Sequence, residues 1–394
     1  MTARTIVIAG AGIGGLTAAL ALANKSFRIV LIDKADRLEE TGAGIQLSPN
    51  ATRVLIGLGL RDRLMPAAVA PEAIVIKTRR NREIARLPLG AAIATRYRAP
   101  YWIIHRGDLQ AALLDAVHAH PDVALELGAE VDAFAPHASG ITVQALRRRS
   151  AVDYEGAALV GADGLWSKVR ERVAGADAPQ FARRTAWRAL VPADAVAPAL
   201  RKREVHLWLG PRSHLVHYPV KAGAMINIVA IATDERPSTG WSTASPPSEV
   251  MARYSRSWAR EARDLLALPT QWLKWPLYRR PPLRRWGHGA VTLLGDAAHP
   301  MLPFLAQGAA MAIEDAAVLA EFMAAAPDDI AGAMRRYEDA RRGRTAQVER
   351  AAHHNGRIYH LAEPASTLRN VAMRALGSDR LVAQYDWIYG WRAP

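Results

Sequence analysis

Arg4-Thr5-Ile6-Val7-Ile8-Ala9 is a nearly unbroken apolar run that reads as a buried parallel strand, and Leu16-Thr17-Ala18-Ala19-Leu20-Ala21-Leu22-Ala23, beyond a glycine cluster, reads as a helix. A second strand, Arg28-Ile29-Val30-Leu31-Ile32, ends at Asp33. Further along, helix-and-strand alternation gives way to strands: 204–209 and 214–219, joined by Gly210-Pro211-Arg212-Ser213, then an apolar run over 225–232. On the returning strand His214, Val216 and Tyr218 alternate onto one face, opposite Leu209, Leu207 and Val205 in simple hairpin register, while His217 takes the other face. Pro, Ser, Thr and Gly concentrate at 66–71, 175–179 and 237–247, the expected breaks. After Pro300, helical patterns run over 308–325 and 330–354, followed by a tail rich in aromatics through Trp391. The pattern predicts an α/β chain: a doubly wound nucleotide-binding unit, an inserted antiparallel sheet and C-terminal helices.

Composition narrows this reading. With 394 residues, half of them apolar, the chain can bury a large core and suits about two or three domains. No apolar stretch reaches the roughly 18–20 residues that span a bilayer. The N-terminus enters a strand with no leader pattern, so a cytoplasmic protein is expected. The lack of cysteine excludes disulfides, thiolate metal ligands, a catalytic dithiol and a cysteinyl-linked prosthetic group; no metal site is expected. A formal charge of +14 and a pI near 10.4 raise nucleic-acid binding as a rival. The positive residues are scattered, however, with Arg147-Arg148-Arg149 and Arg279-Arg280 the longest clusters, so neither nucleic acid nor membrane is the expected partner. A positive field instead concentrates small anions.

The glycine cluster is Gly10-Ala11-Gly12-Ile13-Gly14-Gly15. Between strand and helix, Gly10 permits the tight turn, Gly12 lets backbone approach a pyrophosphate, and Gly15 allows close helix-to-strand packing. Asp33 lies about 20 residues on, where a ribose 2′-hydroxyl is held, which favours FAD or NAD over NADP at this site. Two further segments, Gly161-Ala162-Asp163-Gly164 and Gly295-Asp296-Ala297-Ala298-His299-Pro300, share this glycine and aspartate character. Each alone is weak; their order and separation make the case.

With their neighbours, these segments resemble the single-component FAD-dependent aromatic hydroxylases, the family of para-hydroxybenzoate hydroxylase, salicylate hydroxylase and 3-hydroxybenzoate 6-hydroxylase. The likeness covers nearly the whole chain. It implies noncovalent FAD, NADH or NADPH as reductant, O2, and a flavin C4a-hydroperoxide that hydroxylates a small aromatic carboxylate. It also implies that Asp163 sits in a turn serving FAD and the nicotinamide, that Arg170 fixes that turn, and that Asp296 holds the ribitol chain. The loop 303–308 would lie against the flavin ring, with the helix from Gly308 aimed at its N1 edge. Residues 40–50 resemble the loop passing beside the ring, and Arg106, in His105-Arg106-Gly107-Asp108-Leu109, resembles the arginine that contacts the FAD phosphate region. The expected cofactor set is Gly10, Gly12, Gly14, Gly15, Asp33, Lys34, Ile45, Arg106, Asp163, Asp296, Gly308 and Ala309. The expected organisation is an FAD-binding domain of residues 1–71, 98–178 and 276–354, a substrate-binding sheet domain of 72–97 and 179–275, and a helical tail of 355–394, in a monomer or homodimer.

Electrophilic hydroxylation needs an electron-rich ring, best a phenolate. Full proton transfer from a phenol near pKa 10 to a histidine near 6.5 is uphill by about 5 kcal/mol, so the site must shift these values or share the proton. The resemblance implies that His214, Tyr218 and Gln307 surround the substrate: His214 as acceptor of the phenol proton, Gln307 as its hydrogen-bond partner, Tyr218 as a positioning group. His299 reads as a turn residue of its motif. Phe304 stands where this branch often has tyrosine. Gln46 stands where relatives acting on 6-hydroxynicotinate have a histidine, which weighs against that substrate. Arg188 is a candidate carboxylate anchor, though strand structure explains it equally well. A flavin-dependent reductase or a nicotinamide dehydrogenase on the same first motif is the rival enzyme class.

Overall fold

The computed structural model describes residues 4–38, 43–148, 150–238, 240–254 and 256–394; Glu40, Thr41 and Gly42 of the ring-side loop and Arg149 of the basic cluster lie outside them. Thr5–Ala9 is the centre of a five-stranded parallel sheet, ordered Val291–Leu293, Ala158–Gly161, Thr5–Ala9, Arg28–Asp33, Val123–Leu127. Each of the three glycine and aspartate motifs follows one of its strands, at the carboxyl edge where open α/β sheets bind ligands. Two alanine-rich helices, Ile13–Ala23 and Gly308–Ala325, bury Leu16, Leu20, Met311 and Ile313 in one core with this sheet. Their small side chains let the backbones approach, which seats both helix N-termini at the same edge. A three-stranded antiparallel meander, Ala129–His137, Gly140–Arg147 and Ser150–Gly156, hangs below and is an element the hydrophobic pattern did not announce.

The second layer is an eight-stranded sheet ordered Thr243–Ser245, Trp272–Arg279, Gln180–Pro192, Met225–Thr233, Ser213–Val220, Glu204–Gly210, Ala73–Thr78, Glu83–Pro88. It departs from the expected antiparallel sheet at one ladder, where Ala73–Thr78 runs parallel to Glu204–Gly210. No hairpin links these two strands, so direction is not imposed by a short turn. The 204–220 hairpin pairs His214 with Leu209 and Val216 with Leu207, the register its alternation predicts. One face of this sheet carries a core of Trp187, Trp208, Leu215 and Ile228. The opposite face carries Val205, Leu207, Tyr218 and Val220, packed with Tyr101 and Ile103 from the nucleotide-binding side.

The helix Ile330–Tyr359 runs past the expected end at residue 354, which carries Tyr359 and His360 up to the sheet. The tail folds as Ala365–Ala383 and Asp386–Tyr389, adding Leu381, Ile388 and Tyr389 to that core. A buried ionic cluster joins the two long helices: Arg341 reaches Glu314 at 2.7 Å and Asp315 at 2.6 Å, and Arg344 reaches Glu314 at 2.6 Å. Among the described residues, no helix is long and apolar enough to cross a membrane.

Candidate active site

The floor of the site is mostly backbone. Gly10 adopts φ +104°, and a Cβ there would stand 2.4 Å from the Ala162 carbonyl oxygen. A Cβ on Gly15 would stand 1.8 Å from the Gly10 oxygen, so the first helix packs onto its own turn. A Cβ on Gly12 would meet nothing within 4 Å; its space opens outward, as a pyrophosphate requires. A cavity of about 220 Å³ begins here, lined by Gly10, Gly12, Asp33, Lys34, Asp163 and Gly164. Asp33 accepts from the Ala11 and Ala35 amides at 2.6 and 2.8 Å, which fixes its carboxylate at the rim.

Asp163 turns its carboxylate back into its own segment, accepting from Ser167 Oγ at 2.5 Å and the Lys168 amide at 2.7 Å. Burial raises its pKa against these bonds. Arg170, fully buried, forks onto Asp177 and donates to the Ala297, Ala298 and Pro281 carbonyls at 3.0–3.1 Å. It therefore joins the second motif to the third, well beyond the turn it was expected to fix.

A second cavity of about 330 Å³ shares Gly12, Ala162 and Gly164 with the first. Ile13, Gly14, Arg106 and Asp296 line it, as does the first turn of the Gly308–Ala325 helix at Gly308 and Ala309, whose unpaired amides give it a positive end. Asp296 faces this space. Burial raises its pKa, while His299 and Arg106 act in the opposite direction. Ile45 and Gln46 form one wall, with Gly44 held by its amide to Asn227 Oδ1 at 2.7 Å.

Side chains of the large sheet form the roof: His214, Val216 and Tyr218 on one strand, Val229 and Ile231 on the next, and Arg188. Burial first, then His360 and Arg184, hold the His214 imidazole well below its usual pKa, so it is neutral. Its Nδ1 lies 2.8 Å from His360 Nε2. Tyr218 is hydrogen-bonded to Gln46, whose Oε1 also accepts from Tyr101 at 2.7 Å; burial pushes the Tyr218 phenol up. The Arg188 guanidinium stacks on Trp275 at 5.0 Å. His217 faces away, stacked on His206 with centroids 4.6 Å apart and accepting from Trp208 Nε1.

Gln307 does not bond to His214, contrary to expectation. It is the N-cap residue of its helix, and its amide is satisfied by Ser48 Oγ at 2.8 Å and Asn50 Nδ2 at 3.1 Å. A buried amide needs both a donor and an acceptor, and this segment supplies them. His299 is bonded to Asp315 at 2.5 Å, as a turn residue of its motif. The partner that sequence reading missed is His360, because nothing local relates it to a strand 146 residues earlier. A third cavity, about 390 Å³, lies beyond the third motif around Trp286, His299 and Glu349 and shares no lining residue with the other two.

Gly12 with room for a phosphate, a carboxylate at Asp33, a guanidinium at Arg106 and a helix N-terminus facing an apolar-roofed cavity fit FAD and a small aromatic guest. Fold and site together define an FAD-dependent monooxygenase that uses NAD(P)H and O2. The chain belongs to the FAD binding domain family, whose model matches residues 3–352. It is 36% identical over 392 residues to 3-hydroxybenzoate 6-hydroxylase 1 of Aquipseudomonas alcaligenes, covering 98% of each chain. It is 37% identical to 3-amino-4-hydroxybenzoate 2-monooxygenase of Streptomyces cremeus, covering 98% of this chain and 94% of that one. Its fold matches a salicylate hydroxylase substrate complex with a TM-score of 0.82 at 25% identity, covering 99% and 96% of the two chains.

Proposed function

We propose that this monooxygenase hydroxylates a phenolic aromatic carboxylate, of the 3-hydroxybenzoate or salicylate type, in the 330 Å³ cavity. The observation that carries the reading is that His214, Tyr218 and Arg188 open onto the same space as Asp296 and the Gly308 helix end. When bound, FAD supplies an electrophilic oxygen atom, formed from O2 with electrons from NAD(P)H. Asp33 and Lys34 would hold its adenosine half, the amides at Gly12 and Arg106 its pyrophosphate, and Asp296 its ribityl chain, with Gly14, Ile45 and Ala309 against the rest.

The protein's own work is placement and proton handling. Arg188 offers a guanidinium to the substrate carboxylate, and Tyr218 orients the ring. Neutral His214 accepts the phenol hydrogen bond. Because burial disfavours its imidazolium, it shares the proton, and the bond strengthens as charge develops on the substrate oxygen. The apolar side chains Val216, Val229 and Ile231 keep water from the reacting carbon. Gln307 positions the loop through Ser48 and Asn50.

The test is a panel of 3-hydroxybenzoate, salicylate and 3-amino-4-hydroxybenzoate offered to the purified flavoprotein, with NADH and NADPH oxidation, O2 uptake and product mass recorded. The expected result is one oxygen atom inserted into 3-hydroxybenzoate, with no loss of carbon dioxide. A flavoprotein whose NAD(P)H oxidation responds to none of the three would overturn the reading. Turnover of the aminophenol instead would move the substrate toward the Streptomyces relative.

A further inference from the structure

We infer that Gln307 is a positioning residue that keeps the flavin-facing helix end open: its side chain bonds Ser48 and Asn50 instead of its own helix, which leaves the first-turn amides at Gly308 and Ala309 to a negative edge of the bound ring. The inference rests on FAD lying with its ring against that end. Ser48 is the N-cap of Pro49–Gly57 and Gln307 that of Gly308–Ala325, and neither side chain bonds an amide of the helix it opens. Serine is among the strongest capping residues, so leaving its own helix uncapped costs stability that the link between the two helices must offset. In the Gly308–Ala325 helix the first amide with a partner is that of Met311, which donates to the Gln307 carbonyl at 2.8 Å. Among the described residues, the amides of Gly308, Ala309 and Ala310 have none.

Glu314, about two turns further along the same helix, fixes the direction of this link. It takes Arg344 Nε at 2.6 Å, Arg344 Nη2 at 2.7 Å and Arg341 Nη1 at 2.7 Å. A guanidinium only donates, so the carboxylate between them is held as an acceptor. Asn50 must therefore turn its NH2 group to Glu314 Oε1, at 2.7 Å. Its Oδ1 then faces Ser48 and accepts the single hydroxyl hydrogen at 2.6 Å. With that hydrogen given, Ser48 Oγ accepts from Gln307 Nε2 at 2.8 Å, which turns Gln307 Oε1 to Asn50 Nδ2 at 3.1 Å. Gln307 Oε1 is the only atom of that side chain able to cap a helix, and it is occupied. Ala306 and Gly308, on either side of Gln307, line the 330 Å³ cavity. Two-electron reduction leaves negative charge on a flavin ring, so an uncapped, positive helix end there favours the reduced cofactor over the oxidised one.

The test compares Gln307→Ser, too short to reach Ser48 but a strong cap for its own helix, with Gln307→Ala, which neither links nor caps. Two quantities are measured: amide hydrogen exchange in the FAD-free and FAD-loaded proteins, and the midpoint potential of bound FAD. In FAD-free Gln307→Ser, exchange at Ala309 or Ala310 is expected to slow, and in Gln307→Ala it is not. The ratio of affinities for reduced over oxidised FAD is expected to fall about threefold or more in Gln307→Ser, read as a more negative potential, and to stay within about twofold of the parent in Gln307→Ala. Gln307→Thr repeats the comparison should the serine variant fail to fold. An equal shift of potential in Ser and Ala variants would assign the effect to loop position and overturn the inference. Slowed exchange at an unchanged potential, or exchange that no cap slows, would overturn it as well. FAD should protect Gly308 and Ala309 in the parent, and a lack of that protection would overturn the placement of the ring on which the inference rests.

Discussion

The floor and the roof of the cavity recognise their ligands by different means. The floor presents backbone: glycines with no Cβ, helix ends and amides, arranged within a few residues of each parallel strand. The roof presents side chains from separate strands and from the end of a distant helix, brought together only by sheet register and helix length. Backbone recognition can be written in short contiguous motifs, whereas side-chain recognition depends on long-range pairing. The two regions should therefore fail differently when disturbed.

The largest loss is expected from the buried charge that holds the floor's motifs together. Arg170→Leu would leave Asp177 to Arg280 alone and three carbonyls without this donor, costing about 1–3 kcal/mol for each buried group left unpaired. Urea unfolding of the FAD-free protein measures it. A loss below about 1 kcal/mol would mean that the floor does not depend on this join.

This contrast also explains what the chain disclosed before its structure was known. The strand, turn and helix at residues 5–23 was legible because apolar run, glycines and helix are contiguous. The 204–220 hairpin was legible from its alternation, which put His214 and Tyr218 on one face. The parallel Ala73–Thr78 ladder was not, since strand direction leaves no mark on a single strand. The Gln307 partners were not, because Ser48 and Asn50 are set by helix packing across more than 250 residues. His360 was hidden by a helix that ends five residues later than its pattern suggested.

Acid should separate the two regions next. In the roof, burial first, then Lys77, holds His206 down to about 4; burial and Arg184 hold His360 down to about 3; His214 and His217 are lowered as well. Below pH 6.5 the unfolded chain binds protons at these sites and the fold does not. Their stability is thus full above about 6.5 and lost as pH falls, at roughly 1.4 kcal/mol per unit for each group. In the floor, burial would raise Asp315, but His299 and Arg341 outweigh it and hold it at about 2. Its contribution is present above its ordinary 3.8 and lost only as pH falls toward about 2. Hydrogen exchange between pH 6.5 and 5 should show the Ser213–Val220 strand losing protection while Thr5–Ala9 keeps it. Equal loss in both strands would remove the distinction.

A smaller effect is expected where the two regions meet. Gln307→Ala would leave Ser48 and Asn50 short of a partner in a buried setting, costing about 1–3 kcal/mol. Because Gln307 acts by holding its loop, the rate of ring hydroxylation should fall while the apparent pKa of a bound nitrophenol analogue stays near that of the parent. A shifted pKa would return Gln307 to direct contact with the substrate oxygen.

The smallest effect on the fold, and the sharpest test of backbone recognition, belongs to Gly12. Gly15→Ala would drive a methyl group to 1.8 Å from the Gly10 oxygen and should destabilise by about 1–3 kcal/mol or more. Gly12→Ala meets nothing within 4 Å, and its φ of −73° suits any residue, so the FAD-free protein should unfold within about 0.5 kcal/mol of the parent. The added methyl group would occupy the space that a pyrophosphate needs. Flavin bound per chain should therefore drop steeply in Gly12→Ala at unchanged stability. If Gly12→Ala kept full flavin, the phosphate would lie elsewhere along the cavity, and the floor would owe less to that glycine than its geometry implies.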